Sequence, residues 1–268
     1  MVMPVLMQFE TSRPEKGVPI VLVPGGLSGW ISWKPHAEIL SKDYRVIRVQ
    51  LLNMTAAEKN QIPEEGYSLR SESEALKRTL DKLEVEKVNL VGWSHGGEVS
   101  LDFALNYPSR INTLTLIEPA TYWVARAYGQ FEDEQREFTE FIRGIHAPVT
   151  EDDLIRFLKW NGLVPEGMDP KSMPQWPVWN RLKPAFLSLH TVIEHTDDLG
   201  RLRVLHDVPV MLVRGRDSVG FNFGIADMLS KSLGSNAKIV TLPDAHASHI
   251  IAKDKFIEEL QHFIRGSK

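Results

Sequence analysis

Short runs rich in valine, isoleucine and leucine recur along the chain, at Ile20–Val23, Val46–Leu52, Val88–Val91, Leu114–Ile117, Val210–Val213 and Ile239–Leu242. Each is short and apolar, the pattern of a strand buried on both faces. Amphipathic stretches lie between several of them. In Leu69–Leu83, for example, Leu76, Leu80 and Leu83 recur at helical spacing, while Glu72, Glu74, Lys77 and Lys82 are free to face water. Strand alternating with helix predicts an α/β architecture: a mostly parallel central sheet flanked by helices. In such a sheet ligands collect beyond the carboxyl ends of the strands.

The alternation breaks after Pro119. Residues 1–120 and 206–268 are expected to form the core domain, and 121–205 an inserted helical cap with helices over Glu132–Ile145 and Glu151–Trp160. Pro165, Pro170, Pro174, Pro177 and Pro184 break the second half of the insertion, where Trp160, Trp176 and Trp179 also lie. These indoles suit either the core of a small helical subdomain or the apolar underside of a cap over a pocket.

A net charge of −4 over 268 residues, with no long charged run, points away from nucleic acid and anionic membranes as partners. The opening MVMPVLMQFETSRPEKG lacks the basic start and apolar stretch of a signal peptide, and no later run approaches the about 18 apolar residues of a membrane span. A cytoplasmic monomer or homodimer is expected. The absence of cysteine removes disulfides, thiolate zinc sites and a cysteine nucleophile; with no HExxH among the nine histidines, no metal is expected.

The stretch Val91–Gly97, VGWSHGG, sets a serine between glycines at the junction of a strand, Lys87–Val91, and a helix, Glu98–Asn106. A turn this sharp brings neighbouring backbone close, so Gly92 and Gly96 fit where a Cβ would clash, and Gly97 lets the helix pack on the sheet. Ser94 is then held above the sheet, with the helix N-terminal amides directed at whatever it attacks.

With LVPGGLSGWISW from Leu22, then VGWSHGG, LTLIEPA, VPVMLVRGRDS and LPDAHASHI in that order, the chain resembles the α/β-hydrolase superfamily over almost its whole length. The resemblance implies a nucleophile at Ser94 and a first oxyanion amide from Gly26, or from Leu27 if the register shifts by one. The second comes from His95, whose side chain would form pocket wall. Pro24 stands where the family usually has a histidine. The resemblance places the general base at His246, ahead of His249, which then becomes a pocket, supporting or surface residue. For the acid there are two candidates. Family members often carry it three residues after the glycine ending a late strand, but that place holds Ser218, and Asp217 is one residue early, beside Arg214 and Arg216. Glu118, at the end of LTLIE, matches branches with the acid on this earlier strand. It is preferred, because a carboxylate at the end of a buried strand needs a partner.

The resemblance thus implies a cofactor-independent serine hydrolase. Its substrate would be a small, largely apolar ester, lactone or thioester, with Trp30, Trp93 and Trp123 as candidate substrate contacts and Trp33 as a further indole nearby. Cofactor-independent carbon–carbon bond hydrolysis is the alternative on the same residues. A weakly active or inactive ligand-binding protein is a third reading, to which the displaced acid and Pro24 would belong.

Overall fold

The computed structural model describes residues 5–12, 17–130 and 132–267; part of the leading stretch, 1–4 and 13–16, lies outside them. Its strands are β1 (Gln8–Thr11), β2 (Ile20–Val23), β3 (Val46–Gln50), β4 (Val88–Trp93), β5 (Ile111–Ile117), β6 (Val210–Gly215) and β7 (Ala237–Leu242). They form one sheet in the order β1-β3-β2-β4-β5-β6-β7. All pairs are parallel except β1 with β3. Every apolar run read as a strand is one. β1 carried no such signal, because its residues QFET are largely exposed at the sheet edge.

Helices α1 (Lys34–Leu40), α2 (Leu52–Glu58), α3 (Leu69–Lys82) and α4 (His95–Asn106) connect the first five strands. Between β5 and β6 the chain is largely helical, with α5 (Tyr122–Ala127), α6 (Glu132–Arg143), α7 (Glu151–Trp160), α8 (Trp176–Leu182) and α9 (His190–Glu194). Helix α10 (Gly220–Leu233) follows β6, and α11 (Ser248–Ile251) and α12 (Lys253–Gly266) follow β7. No helix among the described residues is long and apolar enough to cross a membrane.

Alternation along the strands sorts the core into two faces, as a period of two requires. Ile20 and Leu22 of β2 pack with Leu40 of α1 and Phe256 and Leu260 of α12. Val21 and Val23 face the other side, where Leu76, Val99, Phe103 and Ile225 lie, and that apolar cluster runs on into Leu154, Leu158 and Phe186 of the helical segment.

Three local expectations are corrected. Glu72 does not face water; it is fully buried. Its carboxylate accepts the amides of Leu52 at 2.9 Å and Asn53 at 3.1 Å, and the Tyr67 hydroxyl at 2.7 Å. By satisfying the orphan donors of the first turn of α2, Glu72 also accounts for the second difference: β3 ends at Gln50, and Leu52 opens a helix. Third, α4 begins at His95 rather than Glu98, so the turn is confined to the serine itself.

After β2 the chain builds outward to β3, then returns to place β4 on the other flank of β2. The loop after β2 and the turn after β4 therefore share the crevice where the winding direction reverses, the place where open α/β sheets bind ligands.

Candidate active site

Ser94 has φ 53° and ψ −118°, a left-handed backbone that a residue with a Cβ adopts only when its surroundings impose it. Its amide donates to the Ile117 carbonyl at 2.9 Å, and its own carbonyl accepts the amides of Glu98 and Ala120, each at 3.1 Å. The turn is thus tied to β5 as well as to α4. The glycines explain why the motif tolerates nothing larger. A Cβ on Gly92 would lie 2.3 Å from the Gly96 carbonyl oxygen, one on Gly96 2.3 Å from that of Pro24, and one on Gly97 2.9 Å from the Pro119 Cα.

Glu118, at the end of β5, is buried and also has positive φ, 37°. Its amide donates to the Val213 carbonyl at 2.9 Å, which fixes the residue against β6. Oε1 accepts the Gly215 amide at 2.7 Å, while Oε2 accepts the Ser218 hydroxyl at 2.8 Å and the Asn222 amide nitrogen at 2.9 Å. The remaining donor is His246, whose Nδ1 lies 2.6 Å from Oε2. A carboxylate with those partners takes the Nδ1 proton as a hydrogen bond, leaving the lone pair on Nε2. Trp93, the residue before Ser94, donates its indole N–H to the His246 carbonyl at 3.0 Å. The loop carrying the histidine is thereby anchored to the strand carrying the serine.

Asp217 is not drawn into this cluster. It is exposed, and its carboxylate pairs with Arg216 at 2.9 Å, which holds the acid below its usual range. The reason is geometric: the Gly215 amide at the end of β6 and the Ser218 hydroxyl just beyond it both turn toward Glu118, and Asp217 between them is exposed. Ser218 stands where the family pattern expects an acid, and here it serves one carried by the neighbouring strand. Asn222, one helical turn beyond Ser218, bonds to the same oxygen; both were missed because their role exists only across β5 and β6. His249 is fully buried, ringed by Trp33 and Trp93 at centroid distances of 4.9 and 4.6 Å and by Phe256 at 5.8 Å. Burial pushes its pKa well down.

Ser94 and His246 line one cavity. Ser94 is half-buried and open to it, and in this resting arrangement no hydrogen bond joins its hydroxyl to His246. Gly26 and His95 also line the cavity. The His95 amide, first in α4, has no acceptor within the helix and is free for a ligand. Leu27, the other candidate in that loop, has its side chain buried and does not line the cavity. A Cβ on Gly26 would meet nothing closer than 3.9 Å, whereas one on Gly25 would strike the Trp93 ring at 2.9 Å.

Of the proposed tryptophan contacts, Trp93 lines the cavity and Trp30 and Trp123 do not. The Trp30 backbone is tied to β3, its amide donating to Gln50 and its carbonyl accepting from Arg48. Trp123 is buried in the core, and Trp33 is packed beneath the sheet with His36 and Phe256. The apolar wall is supplied instead by Phe138, Ile142, Phe157, Leu163, Val192 and Ile193 from the segment between β5 and β6. Those residues follow ordinary helical periodicity, so nothing in the sequence marks them as cavity-facing. Away from the cavity, ligand atoms of Asp102, His195 and Asp197 lie within 4.8 Å of one another. Their carboxylates are already engaged by Arg70 and Arg201.

The fold and the elbow define a class. A model of the alpha/beta hydrolase fold family matches residues 18–163, and the chain belongs to that family. Among its relatives, the 2-hydroxy-6-oxo-2,4-heptadienoate hydrolase of Pseudomonas putida is 35% identical over 104 residues, covering 38% of this chain and 37% of that enzyme. The 2-hydroxy-6-oxononadienedioate hydrolase of Paraburkholderia xenovorans is matched over 44% of its length; the chain thus spans well under two thirds of either. The pimeloyl-acyl-carrier-protein methyl ester esterase of Nitrosomonas europaea is 27% identical over 86% of this chain and 91% of its own. A solved hydrolase of Pseudomonas aeruginosa superposes with a TM-score of 0.78 at 20% identity, covering 96% of this chain and 94% of that one, a likeness of fold.

Proposed function

We propose that the protein is a serine hydrolase that cleaves a carboxylic ester, lactone or thioester of a small, largely apolar substrate through an acyl-enzyme. The observation that carries this reading is the 2.6 Å contact between Glu118 and His246 Nδ1, with that histidine and the strained Ser94 lining one cavity. In the first step His246 Nε2 takes the Ser94 proton as the serine oxygen attacks the carbonyl, and Glu118 stabilises the imidazolium that forms. The Gly26 and His95 amides hold the oxyanion. The leaving group departs with the proton from His246; water then repeats the sequence in reverse and frees the acid. The Ser94–His246 hydrogen bond forms as the substrate carbonyl is engaged, since such contacts tighten in the bound complex.

Residues 121–205 act as a cap, since the apolar cavity wall comes from this segment. It admits an apolar acyl or alcohol portion and limits water. The resemblance to the Pseudomonas putida enzyme favours one further reading, hydrolysis of a carbon–carbon bond beside a ketone, on the same residues.

The test is Ser94→Ala. The parent should be labelled covalently by a fluorophosphonate and should hydrolyse p-nitrophenyl butyrate, and the variant should do neither while unfolding at the same temperature. Labelling that persists in the variant removes Ser94 from the mechanism.

A further inference from the structure

The polar side chains around the cavity can be accounted for one by one. Six of those lining it carry a nitrogen or oxygen: Trp93, Ser94, His95, Tyr122, Asn161 and His246. Ser94 and His246 belong to the proposed chemistry. The Trp93 indole N–H is spent on the His246 carbonyl at 3.0 Å. Both ring nitrogens of His95 are sealed within the protein, beyond the reach of a ligand. Tyr122 and Asn161 remain.

Asn161 follows the last residue of α7 directly, and its Nδ2 donates back to the Phe157 carbonyl at 2.9 Å. That bond fixes the orientation of the amide: the nitrogen is turned onto the helix, and Oδ1 is directed elsewhere. Oδ1 accepts no hydrogen bond among the described residues, and it is not sealed off as the His95 nitrogens are. The residue as a whole is only 5% exposed, so the space its oxygen still meets is the cavity it lines. Around it the segment between β5 and β6 supplies apolar wall, with Phe157 one helical turn before Asn161 and Leu163 two residues after. A lone acceptor in an apolar wall marks where a donor of the ligand belongs.

The two remaining groups differ in what they require. The Tyr122 hydroxyl both gives and takes a hydrogen bond, so it meets either kind of ligand atom; an amide oxygen only accepts. Asn161 therefore sets a demand that Tyr122 does not. A ketone, an ether or a carboxylate has no proton to offer Oδ1. A carboxylate would also be desolvated without a counter-charge, since no lysine or arginine lines the cavity among the described residues.

We propose that Asn161 is a specificity-determining residue that selects substrates carrying an uncharged donor, a hydroxyl or an amide N–H, in addition to the bond that is cleaved. This rests on the serine-hydrolase reading above. A plain alkyl chain or a methyl ether in the same place would leave Oδ1 desolvated and unpaired, the mismatch by which a hydrogen-bonding site rejects an analogue lacking its partner.

The test uses esters in pairs, each hydroxy ester beside its methyl ether, as competitors of fluorophosphonate labelling of Ser94; protection reports recognition whether or not the ester is turned over. Ethyl β-hydroxybutyrate, ethyl ω-hydroxyhexanoate and hydroxyethyl butyrate set the hydroxyl on either side of the ester and at different reach. In at least one pair the hydroxy ester should halve the labelling rate at about fivefold lower concentration than its ether, the worth of one hydrogen bond. That preference should vanish in Asn161→Leu and Asn161→Ala. Each preference is a ratio within one variant, so a role confined to closing the helix would weaken all the esters alike and leave the ratio unmoved. Equal protection within every pair in the parent, or a preference that survives in both variants, overturns the role of Asn161 while leaving the serine-hydrolase reading intact. Failure of the parent to be labelled at all overturns both.

Discussion

Replacing Glu118 by glutamine tests the acid where two carboxylates competed for the role. One Glu118 oxygen accepts three side-chain donors, from Ser218, Asn222 and His246, and the other accepts the Gly215 amide. The less costly orientation of a glutamine keeps its carbonyl toward the three and turns its NH2 toward Gly215. One donor is then left facing another, which costs about 1–3 kcal/mol of stability. The kinetic loss is larger, because the imidazolium now forms against a dipole instead of a charge. Two charge centres about 4 Å apart at an effective dielectric of about 20 attract by about 4 kcal/mol, equivalent to about a thousandfold in rate. Glu118→Gln should therefore lower kcat/KM for p-nitrophenyl butyrate by about a thousandfold, and slow fluorophosphonate labelling, while circular dichroism shows a folded protein. Asp217→Asn, at an exposed site paired with Arg216, should stay within about twofold of the parent. A folded Glu118→Gln variant that keeps more than a tenth of the activity, or an equal loss in Asp217→Asn, would refute the assignment of the acid to β5.

Gly96→Ala would set a Cβ 2.3 Å from the Pro24 carbonyl oxygen and 2.7 Å from that of Val23, both backbone atoms that cannot swing away. Urea denaturation should show a loss of about 3 kcal/mol or more, with Ser94 no longer labelled; Gly26→Ala, which meets nothing closer than 3.9 Å, should unfold like the parent. His36 is buried, with Nε2 2.9 Å from the His249 carbonyl oxygen, and faces His249, Lys253 and Asp254. Burial lowers its pKa from 6.5 to about 4. The unfolded chain binds the extra proton between those values, so His36 costs no stability above pH 6.5 and progressively more as the pH falls toward 4. His36→Phe should be the less stable protein at pH 7.5, for want of the hydrogen bond, yet should lose about 2 kcal/mol less than the parent on going to pH 5. Parallel urea titrations of parent and variant would contradict this.

The strands were legible because burial on both faces of a parallel sheet demands unbroken apolar runs, and the elbow because a serine forced to φ 53° needs glycines around it. Both are local consequences of sterics and solvent exclusion. β1 was not legible: an exposed edge strand carries no apolar run, and it is held by hydrogen bonds to β3. Glu72 could not be placed either, since a glutamate on an amphipathic helix reads as solvated until another helix brings it unsatisfied amides.

The sequence by itself determined the α/β architecture, the presentation of Ser94, and a short list of candidate partners, because periodicity and glycine placement act over a few residues. Only the tertiary structure showed which carboxylate meets His246. Glu118 follows β5 and Asp217 follows the neighbouring β6, and what separates them is that Gly215, Ser218 and Asn222 direct three hydrogen-bond donors to Glu118 while Asp217 is left to water and Arg216. The cavity wall was likewise settled only by how the helices between β5 and β6 lie over the sheet. Which face of an amphipathic helix covers a cavity rather than a core is fixed by what stands opposite it, and that is a property of the packed chain.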